Sequence, residues 1–142
     1  MAGMNTGRII GGGLAAGVVM NVIDFLVNVV WLGSRWNAQT EMLHPGLAAT
    51  VETRSMAGWI VYDLLIGLAT VWLYAGIRPR FGPGPRTAVI AGLASWAISH
   101  VSFASYWFSG FYTWRLVAAS TAGGLVACLL GAYVGGMIYK EE

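Results

Sequence analysis

Apolar residues run along this chain in blocks of about 20, the length that crosses the hydrocarbon core of a bilayer at helical rise. Four such blocks stand out: Arg8 to Leu32, Met56 to Ile77, Thr87 to Phe108 and Trp114 to Tyr139. The pattern predicts an all-α membrane protein, a four-transmembrane-helix bundle with antiparallel neighbours, in one integral membrane domain over residues 1–142. The polar segment 33–55 is then an outer loop. Trp36, Leu43 and Leu47 are spaced there for a short helix on the membrane surface, either a lid or a plain connection. The stretch IRPRFGPGPR, Ile77 to Arg86, is rich in proline and glycine and predicts an inner loop over 78–86 that divides the chain into two helical hairpins.

Composition strengthens the membrane reading. The 142 residues are 57% hydrophobic and only 10% charged, against roughly 25% charged in soluble domains. A net charge of +2, spread along the chain, lacks the concentrated basic face that nucleic acid requires, so no nucleic-acid partner is expected. The single Cys128 permits no internal disulfide and no CxxC redox centre. The first block runs about twice the length of a signal-peptide core and carries Gly17 where a lipoprotein signal needs Cys, so it reads as a retained span.

Positive residues set the orientation. Arg78, Arg80 and Arg86 crowd the short loop, with Arg8 and Lys140 at the two ends, while Arg35, Arg54 and Arg115 on the other side are diluted by Glu41 and Glu52. Both termini should be cytoplasmic. Trp31, Trp36, Trp59, Trp107 and Trp114 then gather at the outer interface, and Tyr74 and Tyr139 mark the inner one. The two hairpins share features: Arg8 and Arg86 open a span, Gly13-Leu14-Ala15 matches Gly92-Leu93-Ala94, and Trp31 and Trp107 each precede a glycine at the outer end. Either a duplicated hairpin or convergence under the same membrane constraints produces this.

The unusual chemistry is polar groups inside apolar blocks. At about 100° per residue, Gly13, Gly17, Asn21, Asp24 and Asn28 fall within an arc of about 80° on the first span. Asp63 shares a stripe with Gly67, Thr70 and Tyr74 on the second, and Gly124, Cys128, Gly131 and Gly135 form a small-residue face on the fourth. Gly13, Gly17, Gly124, Gly131 and Gly135 are therefore candidate packing positions, with the glycine faces of the first and fourth spans in close contact. Asp24, Asp63 and His100 each lie about eight or nine positions from the outer ends, roughly 12 to 14 Å deep, so one layer can hold all three. Burying an Asp there costs on the order of 2.5 to 3.5 kcal/mol, so each needs a partner, a proton or a wet cavity.

Three readings fit this layer. Asp24, Asp63 and His100, with Asn21 or Asn28 behind them, present ordinary ligands for a divalent metal. The same groups suit a proton relay or a polar, quinone-like ligand. Alternatively, Asp24 pairs with His100 or Arg115 and the asparagines act as interhelical glue. With His44 in the outer loop, a bis-histidine haem has no second ligand, which leaves only a five-coordinate tetrapyrrole on His100. Glu41-Met42-Leu43-His44 matches the Glu-x-x-His pattern of di-iron bundles, but once and in a loop, where the bundles need two copies. No acyl-transfer or nucleotide-binding motif stands in a usable context.

At Val30-Trp31-Leu32-Gly33-Ser34-Arg35-Trp36, at Trp114-Arg115 and at the closing Gly135-Gly136-Met137-Ile138-Tyr139, the chain resembles the small, uncharacterised four-helix membrane proteins of bacteria. The likeness runs the whole length in helix number and loop size. It implies a bacterial inner-membrane location and lends no activity. It departs from small multidrug exporters in having no glutamate in the first span, and from quinone-reducing epoxide reductases in having no paired cysteines. The expectation is a small non-enzymatic subunit or ligand-binding module in the lipid bilayer, as a homo-oligomer or part of a larger complex. The rival is a small membrane enzyme or proton-coupled carrier using the Asp24, Asp63 and His100 layer.

Overall fold

The computed structural model describes residues 4–140, apart from the side chains of Thr53 and Arg54, so the orientation argument from Arg54 lies outside the described residues. Helix α1 (Thr6–Asp24) is capped by Asn5, whose Oδ1 accepts from the Arg8 N–H at 3.0 Å, and continues as a π-helical segment, Phe25–Trp31. After it come α2 (Gly33–Leu43), α3 (Leu47–Phe81), α4 (Pro85–His100), a single 3₁₀ turn (Ser102–Ala104), the short α5 (Ser105–Phe108) and α6 (Trp114–Ile138). Four stretches are long and apolar enough to span a membrane: Thr6–Trp31, Ser55–Phe81, Pro85–Phe108 and Trp114–Ile138. The protein is an all-helical, multi-pass membrane bundle.

Around the bundle the order is α1, α3, α4, α6, with α1 and α3 in the most extensive contact. Close approach explains why glycine is used there. A Cβ on Gly13 would stand 2.7 Å from the Leu68 Cα and one on Gly17 2.6 Å from the Leu64 Cα, while one on Gly67 would enter the backbone of Gly13 and Gly17. The other side of α1 meets α6. A Cβ on Gly12 would lie 2.8 Å from the Gly135 carbonyl oxygen, and one on Gly131 3.0 Å from that of Ala16. Gly13 and Gly17 thus face α3, one residue out of phase with the α1 surface that meets Gly131 and Gly135. Gly124 receives the His100 ring instead. Small residues let dispersion and short backbone distances hold helices together where lipid supplies no hydrophobic drive.

Several boundaries differ from those the sequence predicts. The helix α3 passes through Pro79, which removes the N–H that would bond to the Ala75 carbonyl, and ends at Phe81, where Gly82 with φ 83° makes the stop. The inner connection shrinks to Gly82–Gly84. The segment 33–55 is mostly helix. Glu41 folds back to the start of α3, accepting from the Gly46 N–H at 2.6 Å and the Ala48 N–H at 3.4 Å, which gives it a capping role. Tyr74 and Tyr139 are buried at 2% and 3% exposure, ring to ring at 6.0 Å, and do not form an interfacial belt. Trp31, Trp59, Trp107 and Trp114 do point outward.

The third span is interrupted where the sequence predicts continuity. Ser99 Oγ donates to the Ser95 carbonyl at 2.7 Å and Ser102 Oγ to that of Ser99 at 3.1 Å. Such back-bonding competes with the helical ladder, and the α-helix stops at His100.

Candidate functional site

Asp24 ends α1 and Asp63 lies in the middle of α3, and the Gly13, Gly17 and Gly67 contact brings their helices close enough for the two carboxyl groups to interact directly. Asp63 is 6% exposed. The Oδ1 of Asp24 is buried with no hydrogen-bond partner. Among the described residues no cation pairs with either carboxyl. Arg115, one candidate partner, lies over its neighbour Trp114 with the guanidinium 5.6 Å from the ring centroid.

The asparagines do separate work. Asn21 Nδ2 donates to the Gly17 carbonyl at 3.1 Å and across to the Ile60 carbonyl of α3 at 3.2 Å, tying the two helices one turn from the carboxyls. Asn28 Oδ1 accepts from Ser120 Oγ of α6 at 2.7 Å and from Trp36 Nε1 of α2 at 3.3 Å. It does not share the α3-facing stripe that regular helical spacing predicts. The reason is the π-helical turn, in which Leu32 N–H reaches back five residues to the Val27 carbonyl at 2.9 Å and later residues rotate out of the α-helical phase.

His100 stands apart from the carboxyl pair. Its ring rests against Gly124, and its Nδ1 lies 2.8 Å from Ser99 Oγ. A hydroxyl carries one hydrogen, and that of Ser99 goes to the Ser95 carbonyl, so Nδ1 is assigned as the donor and Nε2 is left as an acceptor. Among the described residues no three of His, Cys, Asp and Glu are grouped closely enough to hold a metal ion. Of the three groups expected to share a layer, the two carboxyls meet each other and the His100 ring is seated at Gly124.

Two further residues lie near the pair: Tyr62, which the sequence pattern does not single out, and Cys128, which it places only on the small-residue face of the fourth span. Tyr62 lies within electrostatic reach of both Asp24 and Asp63, and Cys128, 1% exposed, lies beside Ser99. Tyr62 and Ser99 also line an open groove of about 340 Å³ with Trp59, Ser102, Phe103 and Tyr106, where α3 faces the interruption after α4. Over the same end of the bundle, α2 is fastened by side chains. Gln39 donates to Thr113 Oγ1 at 3.0 Å and accepts from Thr113 N–H at 2.9 Å, and Thr40 Oγ1 lies 3.1 Å from the Tyr112 hydroxyl. Trp36 packs edge-on against Tyr112 and Phe103 at 4.9 and 5.9 Å. Set against models of known families, curated proteins and solved structures, the chain matches none.

Proposed function

We propose that the protein is a small, non-enzymatic ligand-binding module of the membrane whose polar centre is the Asp24–Asp63 pair. One observation carries this reading: two interacting carboxyls inside the bundle have no cationic partner among the described residues, and one carboxyl oxygen is buried without a partner. Interhelical glue has no need of two acids in contact, and Asn21 already makes the α1–α3 link. Two carboxyls hydrogen-bond each other only with a proton between them. The pair therefore takes up either one proton or, in its place, a small cation. Asn28, Asn21 and His100 act in this reading by fixing helices around the pair.

A proton-coupled carrier is the second reading, favoured by the groove beside Tyr62 and Ser99, which gives a solute a lateral approach to the pair. In either case the termini lie on the cytoplasmic side of a bacterial inner membrane, in keeping with Arg78, Arg80 and Arg86 on the flanks of the Gly82–Gly84 connection. Self-association or membership of a larger membrane complex belongs to the same reading. A reporter fused after Glu142 should be cytoplasmic, and a periplasmic reporter overturns that orientation.

Native mass spectrometry of protein extracted gently from its own membrane tests the binding reading. The wild type should carry a small bound mass that Asp24→Asn and Asp63→Asn both lose while retaining helical content and melting temperature. Variants that lose stability but keep every bound mass would reassign the pair to structure.

A further inference from the structure

At the opposite end of the bundle, the end of α3, the Gly82–Gly84 connection and the end of α6 enclose a second groove, of about 360 Å³. We propose that this groove binds the phosphate of an anionic membrane lipid. Its lining includes two cationic side chains, Arg78 and Lys140, beside the tyrosines Tyr74, Tyr133 and Tyr139. The Arg78 guanidinium is 5.7 Å from the centroid of the Tyr139 ring, which holds it at the groove wall, and its five donors serve more than one partner at once.

A second observation is independent of charge. Tyr139, which lines the groove, is only 3% exposed, and its hydroxyl is buried with no hydrogen-bond partner. A buried donor without an acceptor costs free energy. A phosphate oxygen entering beside it supplies that acceptor after a small shift of the ring. The Tyr74 hydroxyl, by contrast, has a partner, accepting from the Gly84 N–H at 3.0 Å and so tying the connection to α3.

The occupant is a lipid and not a soluble anion because the wall continues outward as apolar surface. Tyr133 and Met137 also line the groove and are 43% and 57% exposed on α6, a span whose outer face meets acyl chains. A ligand with an anionic head and an apolar body satisfies both parts of the wall. At about 360 Å³ the groove is many times the roughly 30 Å³ that one water takes in the liquid, so a glycerol phosphodiester fits. Basic pockets between spans at the interface have this use in membrane proteins generally.

The test is native mass spectrometry of the full chain in detergent, titrated with phosphatidylglycerol, with phosphatidylcholine and with inorganic phosphate. The wild type should retain one phosphatidylglycerol in preference to phosphatidylcholine. Each of Arg78→Gln and Lys140→Gln should weaken that preference about fivefold, and the pair together about thirtyfold, while Tyr139→Phe should weaken both lipids alike, since they share the phosphodiester, and leave the preference in place. Lys140 is exposed beyond the end of α6, so Lys140→Gln reads out even where Arg78→Gln fails to fold. Equal binding of the two lipids, or a preference that survives both charge substitutions, overturns the proposal. Displacement of the lipid by millimolar inorganic phosphate would make the site one for a soluble anion and also overturn it.

Discussion

Replacing Gly67 with alanine should separate α1 from α3 and with them the two halves of the carboxyl pair. The added methyl would run into Gly17 N, Gly17 Cα and the Gly13 carbonyl oxygen. These are backbone atoms of a helix, and no rotamer change moves them aside. Overfilling a packed interior typically costs about 1–3 kcal/mol, and a backbone obstacle puts Gly67→Ala at the upper end. Alanine's better helix propensity offsets about 1 kcal/mol of this, leaving a net loss of about 2 kcal/mol. Gly76 on the same helix provides the control, because a Cβ there meets nothing within 4 Å. Gly76→Ala should gain up to about 1 kcal/mol from propensity alone. The two variants should therefore separate by about 3 kcal/mol in reversible unfolding by sodium dodecyl sulfate from mixed micelles, followed by circular dichroism. Equal stability would refute the close α1–α3 crossing on which the Asp24–Asp63 contact depends.

Three other substitutions examine neighbouring parts of the structure. Asn21→Leu removes the bond to the Ile60 carbonyl and should cost about 0.6 to 1.7 kcal/mol in the same unfolding assay. Gln39→Ala deletes both bonds to Thr113, so amide exchange in α2 should accelerate while α1 and α6 keep their protection. Gly124→Ala should eject the His100 ring from its seat and break its hydrogen bond with Ser99, seen as loss of the protected imidazole N–H signal in nitrogen-15 NMR.

The membrane pattern was the most legible part of the sequence, because span length and apolar composition are properties of each segment alone. That Asp24 and Asp63 face protein also followed from their position on glycine stripes, since only a small-residue face admits another backbone. The partner of each stripe was not legible. Gly12 and Gly13 are adjacent in sequence and yet meet different helices, so a difference of one residue in phase decides between α6 and α3. The shared depth of Asp24, Asp63 and His100 was real as arithmetic, but depth says nothing of direction, and His100 turned to Gly124. The π-helical turn that redirects Asn28 left no glycine or proline as a marker in Phe25–Trp31. Nor could periodicity show that Glu41 is committed to the start of α3, because that depends on the turn at Gly46 with φ 82°.

The central claim is that Asp24 and Asp63 form one carboxyl pair, which holds one proton whenever no cation occupies it. Infrared difference spectroscopy of the wild type, Asp24→Asn and Asp63→Asn, each reconstituted in lipid, measures this directly through the carbonyl stretch of a protonated carboxyl. With bound cations removed by a chelator, the wild type should show one such band, lost or displaced in both single variants because the proton belongs to the pair. Two carboxylate signals in the wild type, each removed by its own substitution without effect on the other, would contradict it.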